Sequence, residues 1–198
     1  MQSLIQGKML RAPRAWLSVF LWLAAVALSL APEQIRAQGD VSKEYQVKAA
    51  FLFHFAQFVE WPAETFTNAD APFRIGVLGG NPFAGALDEI VRGETIGSRK
   101  IIVQYSRRAA DLKNCQIVFV SKTEATRLPR ILKEFDGQNS LTVGECDGFA
   151  SLGGVLNFYL EDDKVHFEIN PDAAAREKLK ISSQLFRLGK IVKTAPPN

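Results

Sequence analysis

The run Ile117-Val118-Phe119-Val120, inside the segment CQIVFVS, is apolar at every position, and it constrains the fold more than any other stretch. A strand with one face in water alternates apolar and polar residues. A strand without alternation must be covered on both faces, as in the interior of a sheet with helices above and below it. Neighbouring segments agree. FRIGVLG (residues 73–79) is a short apolar run after the Ala71-Pro72 break, RKIIVQYS (99–106) reads as a second strand, and SLTVGE (140–145) as a fourth. Between them, GNPFAGALDEIVRG reads as a helix with Asn81 as N-cap, Pro82 at the first helical position and Gly93 at its end. KTEATRLPRILKEFDG reads as another helix, interrupted by Pro129. The β-α-β-β-α-β rhythm predicts an α/β fold with a mostly parallel sheet flanked by helices.

Beyond residue 150 the pattern changes. Val155 to Leu160 and Val165 to Ile169 flank EDDK, with period-two alternation in VHFEI, and predict a C-terminal hairpin at the sheet edge. Asn170-Pro171 is expected to cap a long C-terminal helix, in which Ile181, Leu185 and Leu188 recur at three-to-four spacing opposite Arg176, Lys180, Gln184 and Arg187. At the other end, Val41 to Trp61 reads as a helix closed by Pro62. Its apolar arc carries Tyr45, Ala49, Leu52, Ala56 and Val59, with Val47, Phe51, Phe55 and Phe58 alongside. Phe53 falls with Gln46, Gln57 and Glu60 on the polar side. A ring there, next to Trp61 and Phe66 in the following turn, would make a patch, and such patches mark partners.

The first residues follow the grammar of a secretory signal peptide: Lys8, Arg11 and Arg14, then an apolar run from Ala15 to Leu30, then Ala37 as a cleavage position. An uncleaved anchor is the alternative, and either leaves the remainder outside the cytoplasm. The expected organisation is a signal peptide over 1–37, one α/β domain over 41–193 and a flexible tail over 194–198. The formal charge of +3 belongs to the leader, because residues 38–198 hold 20 basic and 20 acidic side chains. With no basic block there, nucleic-acid binding is not expected.

No constellation for catalysis, cofactor or metal emerges. VLGGNPF lacks the glycine spacing of a dinucleotide fingerprint, no G-x-S-x-G elbow is present, and His54 and His166 have no second ligand at metal spacing. A ligand crevice, if there is one, belongs beyond the carboxyl ends of the parallel strands, at Gly79, Gly80, Asn81, Glu145 and Phe149. Cys115 opens one strand and Cys146 follows the end of the next, so parallel neighbours would hold them too far apart to bridge, and both are expected free.

Five segments in order, VKAAFLFHFAQFVEWP, IGVLGGNPF, CQIVFVS, SLTVGECDGFASLGGVLNFYLEDDKVHFEIN and AAAREKLKISSQLFRLGKIV, resemble the YfiR-like family of bacterial periplasmic proteins. The likeness runs from about Tyr45 to Val192. It implies a compact, exported, often dimeric α/β domain that is not an enzyme. It also implies a repressor that binds the periplasmic sensor domain of an inner-membrane diguanylate cyclase or related sensor, lowering cyclic-di-GMP signalling and biofilm formation, and that an outer-membrane lipoprotein sequesters. The family's opening motif usually reads close to AAFLYNFAKFVEWP. Phe53 and His54 therefore stand where tyrosine and asparagine are common, and Gln57 where lysine is usual. Characterised repressors of the family use disulfides; here Cys115 matches a common cysteine, but Cys146 lacks a close partner at Gly153. Phe53, Gln57, Trp61 and Phe66 are the expected partner-binding residues, and a small-ligand-binding module acting on another membrane sensor is the alternative function.

Overall fold

The computed structural model describes residues 32–196, with side chains from Lys43 onward. The expected signal peptide therefore lies almost wholly outside the described residues. The chain divides into residues 1–41 and 42–198. Of the first unit only helical backbone from Pro32 onward is described, in a helix, α1, that runs Pro32–Phe58. Its carboxyl end falls three residues before the expected Trp61, because Val59–Glu60 leaves the helix as a short strand, β1.

The second unit is built on an eight-stranded mixed sheet. Its strands are β2 (Phe73–Leu78), β3 (Thr95–Ile96), β4 (Arg99–Ser106), β5 (Ile117–Val120), β6 (Leu141–Gly144), β7 (Leu156–Glu161), β8 (Lys164–Ile169) and β10 (Lys190–Ile191). They lie in the order β10-β8-β7-β6-β5-β2-β4-β3. From β4 through β7 every neighbour is parallel. The unbroken run in β5 sits centrally and is buried at every residue. Ile117 and Phe119 enter one core with Phe73, Ile75 and Val77 of β2 and Leu52 and Phe55 of α1, while Val118 and Val120 enter a second core with Leu112, Ile131 and Phe135. That period-two division is the physical content of an all-apolar strand with helices on both sides. The second core lies under α3 (Leu128–Phe135).

Four local expectations are corrected. Asn81 is not a helix cap: its Oδ1 accepts the Phe83 N–H at 3.0 Å in a tight turn. The helix α2 starts later, Ala86–Ile90, behind Gly85 at φ 94°. Pro129 does not interrupt a helix but sits in the first turn of α3, where its missing N–H costs nothing; a 3-10 segment, Lys122–Arg127, precedes it. The antiparallel partners β7 and β8 are not an edge hairpin, because β10 pairs in parallel with β8 through Lys190↔Glu168 and Ile191↔Ile169.

The long C-terminal helix does not form either. Its sequence makes α4 (Pro171–Arg176), β9 (Lys180–Ile181), α5 (Ser183–Leu188) and then β10. Asn170 caps α4, accepting the Ala173 N–H at 3.0 Å. Two local choices stop the helix. Lys178 turns left-handed at φ 54°, and Ser182 caps α5, accepting the Leu185 N–H. Lys180 and Ile181 then pair antiparallel with Glu60 and Val59 of β1. Leu188, expected on an apolar stripe, is 69% exposed.

Candidate functional site

At the carboxyl ends of the parallel strands the chain fills the crevice at Gly79, Gly80 and Phe149, while a groove of about 260 Å³ stays open beside Leu78. Strand order reverses at β2, which has β4 on one side and β5 on the other, so the switch point lies beyond Leu78 and Val120. There the Gly80 N–H donates to Thr123 Oγ1 at 3.0 Å. A Cβ on Gly79 would lie 2.7 Å from both Thr123 Oγ1 and Glu124 Oε1. Asn81 is exposed at the turn. Phe149 is fully buried, and a Cβ on either Gly144 or Gly154 would overlap its ring. The bare backbone of these two glycines thus admits a core aromatic.

Glu145, just past β6, anchors a buried polar network reaching α1. Its Oε2 accepts from Lys48 Nζ at 2.7 Å and from the Tyr45 hydroxyl at 3.0 Å, and its Oε1 accepts the Lys122 N–H at 3.0 Å. The Lys48 and Glu145 side chains are 5% and 3% exposed, and Glu44 forms a second ion pair with Lys48. The ammonium also lies 4.6 Å from the centre of the Tyr45 ring. Burial, then the Glu145 carboxylate, pushes the Tyr45 hydroxyl well above its usual range, so it is a standing donor. The signal for Lys48 was readable: it sits three residues after Tyr45 and four before Leu52, a charge on the apolar arc. Such a charge is buried only with a partner.

The four expected partner-binding residues fall into two groups. Phe53 is half-buried beside His54, with Gln57 exposed and bonded to His54 Nδ1 at 3.3 Å. Trp61 and Phe66 instead pack around Phe73, at centroid separations of 4.9 and 6.5 Å. Among the described residues no ring contact joins Phe53 to Trp61. His166 stacks on Tyr159 at 5.5 Å across β7 and β8. The described residues hold no group of three or more His, Cys, Asp or Glu arranged for a metal, and no helix long and apolar enough to cross a membrane.

Cys115 is buried and Cys146 half-buried, both free. Burial pushes the Cys115 thiol up to about 11 and also raises Cys146, which Glu145 and Asp147 raise further.

The opposite, amino end of the strands is open. A groove of about 430 Å³ runs between the loop after β1 and the starts of β2 and β5, with Thr65, Phe66, Asp70, Arg74, Asn114 and Gln116 among its walls. Gln116 organises it: its carbonyl accepts from Trp61 Nε1 at 3.1 Å and its Oε1 accepts the Arg74 N–H at 2.7 Å. Its Nε2 is left with long bonds of 3.5 Å to the Thr65 carbonyl and 3.4 Å to that of Asn114. Arg99 holds the loop through the carbonyls of Asn68 and Ala71 and covers the Phe66 ring at 3.9 Å. Of the residues that line the groove, only Phe66 stood out in the sequence as a candidate for binding. The available signal was Arg74, a charge inside an apolar strand. A second groove, about 260 Å³, is lined by Arg107, Arg108, Arg127 and Arg130 around Leu78 and Ile131.

The described residues thus present an α/β sheet with two free thiols and a groove at each end of its strands. The chain belongs to the YfiR/HmsC-like family, whose model matches residues 45–190. Membership makes it a non-enzymatic periplasmic module of binding or regulatory type. No curated protein matches the chain. It is similar to a conserved domain protein from Vibrio cholerae (12% identity, TM-score 0.43, covering 62% of this chain and 54% of that one). It is also similar to an ABC domain in complex with L-Trp from Streptococcus pneumonia (9%, 0.46, 61% and 55%). A third similar structure is the ligand-free, open form of a substrate binding protein with adhesive properties from Clostridium difficile (12%, 0.45, 62% and 55%). The chain spans about half the length of these structures.

Proposed function

We infer that this protein is a periplasmic small-molecule-binding module whose occupancy governs its contact with a membrane sensor. The observation that supports the reading is the groove of about 430 Å³ at the amino end of the sheet, whose wall includes Thr65 with its hydroxyl left without a partner by the protein. A volume in this range suits a small metabolite. The test is a thermal-shift screen of the exported domain against acidic, neutral and basic periplasmic metabolites, followed by a pull-down of the sensor's periplasmic domain with and without each hit. Ligand-dependent capture is the expected result; a screen in which nothing raises Tm rejects the reading.

A second, more specific reading extends what the resemblance to the family implies. In it the exported chain, freed of residues 1–37, represses a membrane diguanylate cyclase by binding its periplasmic domain as a homodimer, and an outer-membrane lipoprotein sequesters it. The matched region includes Phe53, Gln57, Trp61 and Phe66. Of these, Gln57 and the half-buried Phe53 lie on the outer side of α1 and are the residues for a partner to touch. Gln57→Ala should lower cyclase capture while changing stability by no more than about 0.5 kcal/mol, as surface substitutions do. Unchanged capture rejects this face.

A further inference from the structure

We propose that the groove at the amino end of the sheet is a binding site for a small organic carboxylate, gripped by the Arg74 guanidinium with Thr65 and Gln116 as flanking donors. The proposal rests on the reading that the protein binds a small molecule and names the chemistry of that molecule.

Three observations carry it. Arg74 is half-buried in the groove wall, yet among the described residues no carboxylate lies within ion-pair distance of it and its side chain makes no hydrogen bond. A guanidinium so placed offers a planar fork of N–H donors that matches the two oxygens of a carboxylate. Thr65 Oγ1 is buried with no partner at all, a state that native proteins rarely leave uncompensated. Gln116 Nε2 has only its two long bonds, so its amide is free to shorten onto a third acceptor. The groove therefore has donors to spare, which the exposed Asp70 carboxylate in its wall does not meet.

The charge balance selects a monoanion. Arg99 lies close by but is already engaged by two carbonyls and the Phe66 ring. Asp70 is exposed and lines the groove. Arg74 and Arg99 against Asp70 leave one net positive charge around the groove, which matches a single negative charge and disfavours a phosphate dianion. Phe66 supplies an apolar wall, which suits an organic acid better than an inorganic ion.

The probes are phenylacetate, its methyl ester and inorganic phosphate, titrated into the exported domain and followed by amide chemical shifts and Tm. Phenylacetate should saturate, shift the resonances of Thr65, Arg74 and Gln116, and raise Tm. Arg74→Gln should weaken it by roughly tenfold or more, the loss expected for a charge-assisted pair, and Thr65→Val by about threefold. Arg130→Gln, in the other groove, should leave it unchanged. If Arg74→Gln fails to fold by circular dichroism, Arg74→Lys carries the test, because an ammonium cannot form the fork. The proposal is overturned if the ester or phosphate binds as well as the acid, if Arg74 variants bind normally, or if phenylacetate does not saturate. A neutral or basic compound that binds while phenylacetate does not removes the carboxylate assignment alone; a screen with no binder at all removes the underlying reading as well.

Discussion

The Lys48–Glu145 pair shows how one residue ties distant parts of the chain together. Two charges are removed from water, and their stability depends on both remaining. Lys48→Met is expected to destabilise by about 3 kcal/mol, because it strands a buried carboxylate whose remaining donors are Tyr45 and a backbone N–H. Adding Glu145→Gln should recover part of that loss, and a double-mutant cycle in urea measures it. A second residue-scale prediction concerns Gly76. A Cβ there would lie 3.0 Å from Cys115 Sγ, close to the Cβ-to-far-sulfur spacing of about 3 Å that an S–S bond of roughly 2.05 Å imposes. Gly76→Cys should therefore bridge to Cys115 on oxidation and gain at most about 4 kcal/mol from loop closure. When reduced, the variant should be less stable than the parent, because Leu112 methyls stand 3.2 and 3.3 Å from the new Cβ. Thiol titration of the unfolded chain and urea midpoints check both halves; three titratable thiols after oxidation, instead of the one left by a bridge, would refute it.

At the scale of elements, the C-terminal segment is the informative one. The helical spacing of Ile181, Leu185 and Leu188 is genuine, but Ser182 offers a cap and β1 offers a pairing strand, and together these outweigh continuation of α4. Asn170 then holds the segment down. Its Nδ2 donates to the Ala150 carbonyl at 2.6 Å and to Thr194 Oγ1 at 2.9 Å, while its Oδ1 caps α4. Asn170→Ala should cost about 2 kcal/mol, the loss of a cap plus an unmade bond to a buried carbonyl. Hydrogen exchange should accelerate first in α4 and around Thr194; uniform acceleration throughout the sheet would show that the segment is not a separate unit.

At the scale of the molecule, pH dependence follows from Glu177. Its side chain is buried beside the turn before β6; Oε1 accepts the Gly137 N–H at 2.8 Å and Oε2 has no partner. Burial raises its pKa above the ordinary 4.5, against the lowering effect of the Gly137, Asn139 and Ser140 N–H groups. Between the unfolded and the raised folded value, the native state holds a proton that the unfolded state has released. Stability from this group therefore falls as pH rises through that window and stays lower above it. Glu177→Gln should flatten Tm against pH from 4.5 upward; a profile parallel to that of the parent would show that another group governs it.

The sequence alone determined the α/β class, the interior strand and five other strands of its sheet, the capping role of Asn170 and, apart from the exposed Val47, the apolar arc of α1. Each of these rests on periodicity or on local backbone chemistry, which neighbouring residues decide among themselves. The sequence also placed Glu145 near the carboxyl end of a strand, but not its commitment to Lys48, nearly a hundred positions away. Tertiary structure decided which crevice is filled and which stays open. Thr123 and Glu124 reach Gly79 and Gly80, and Gln116 meets Thr65, Arg74 and Trp61, only because the parallel crossovers bring the ends of β2 and β5 side by side. No sequence pattern encodes whether two loops meeting there leave space between them, since that depends on side-chain volumes contributed from separate parts of the chain.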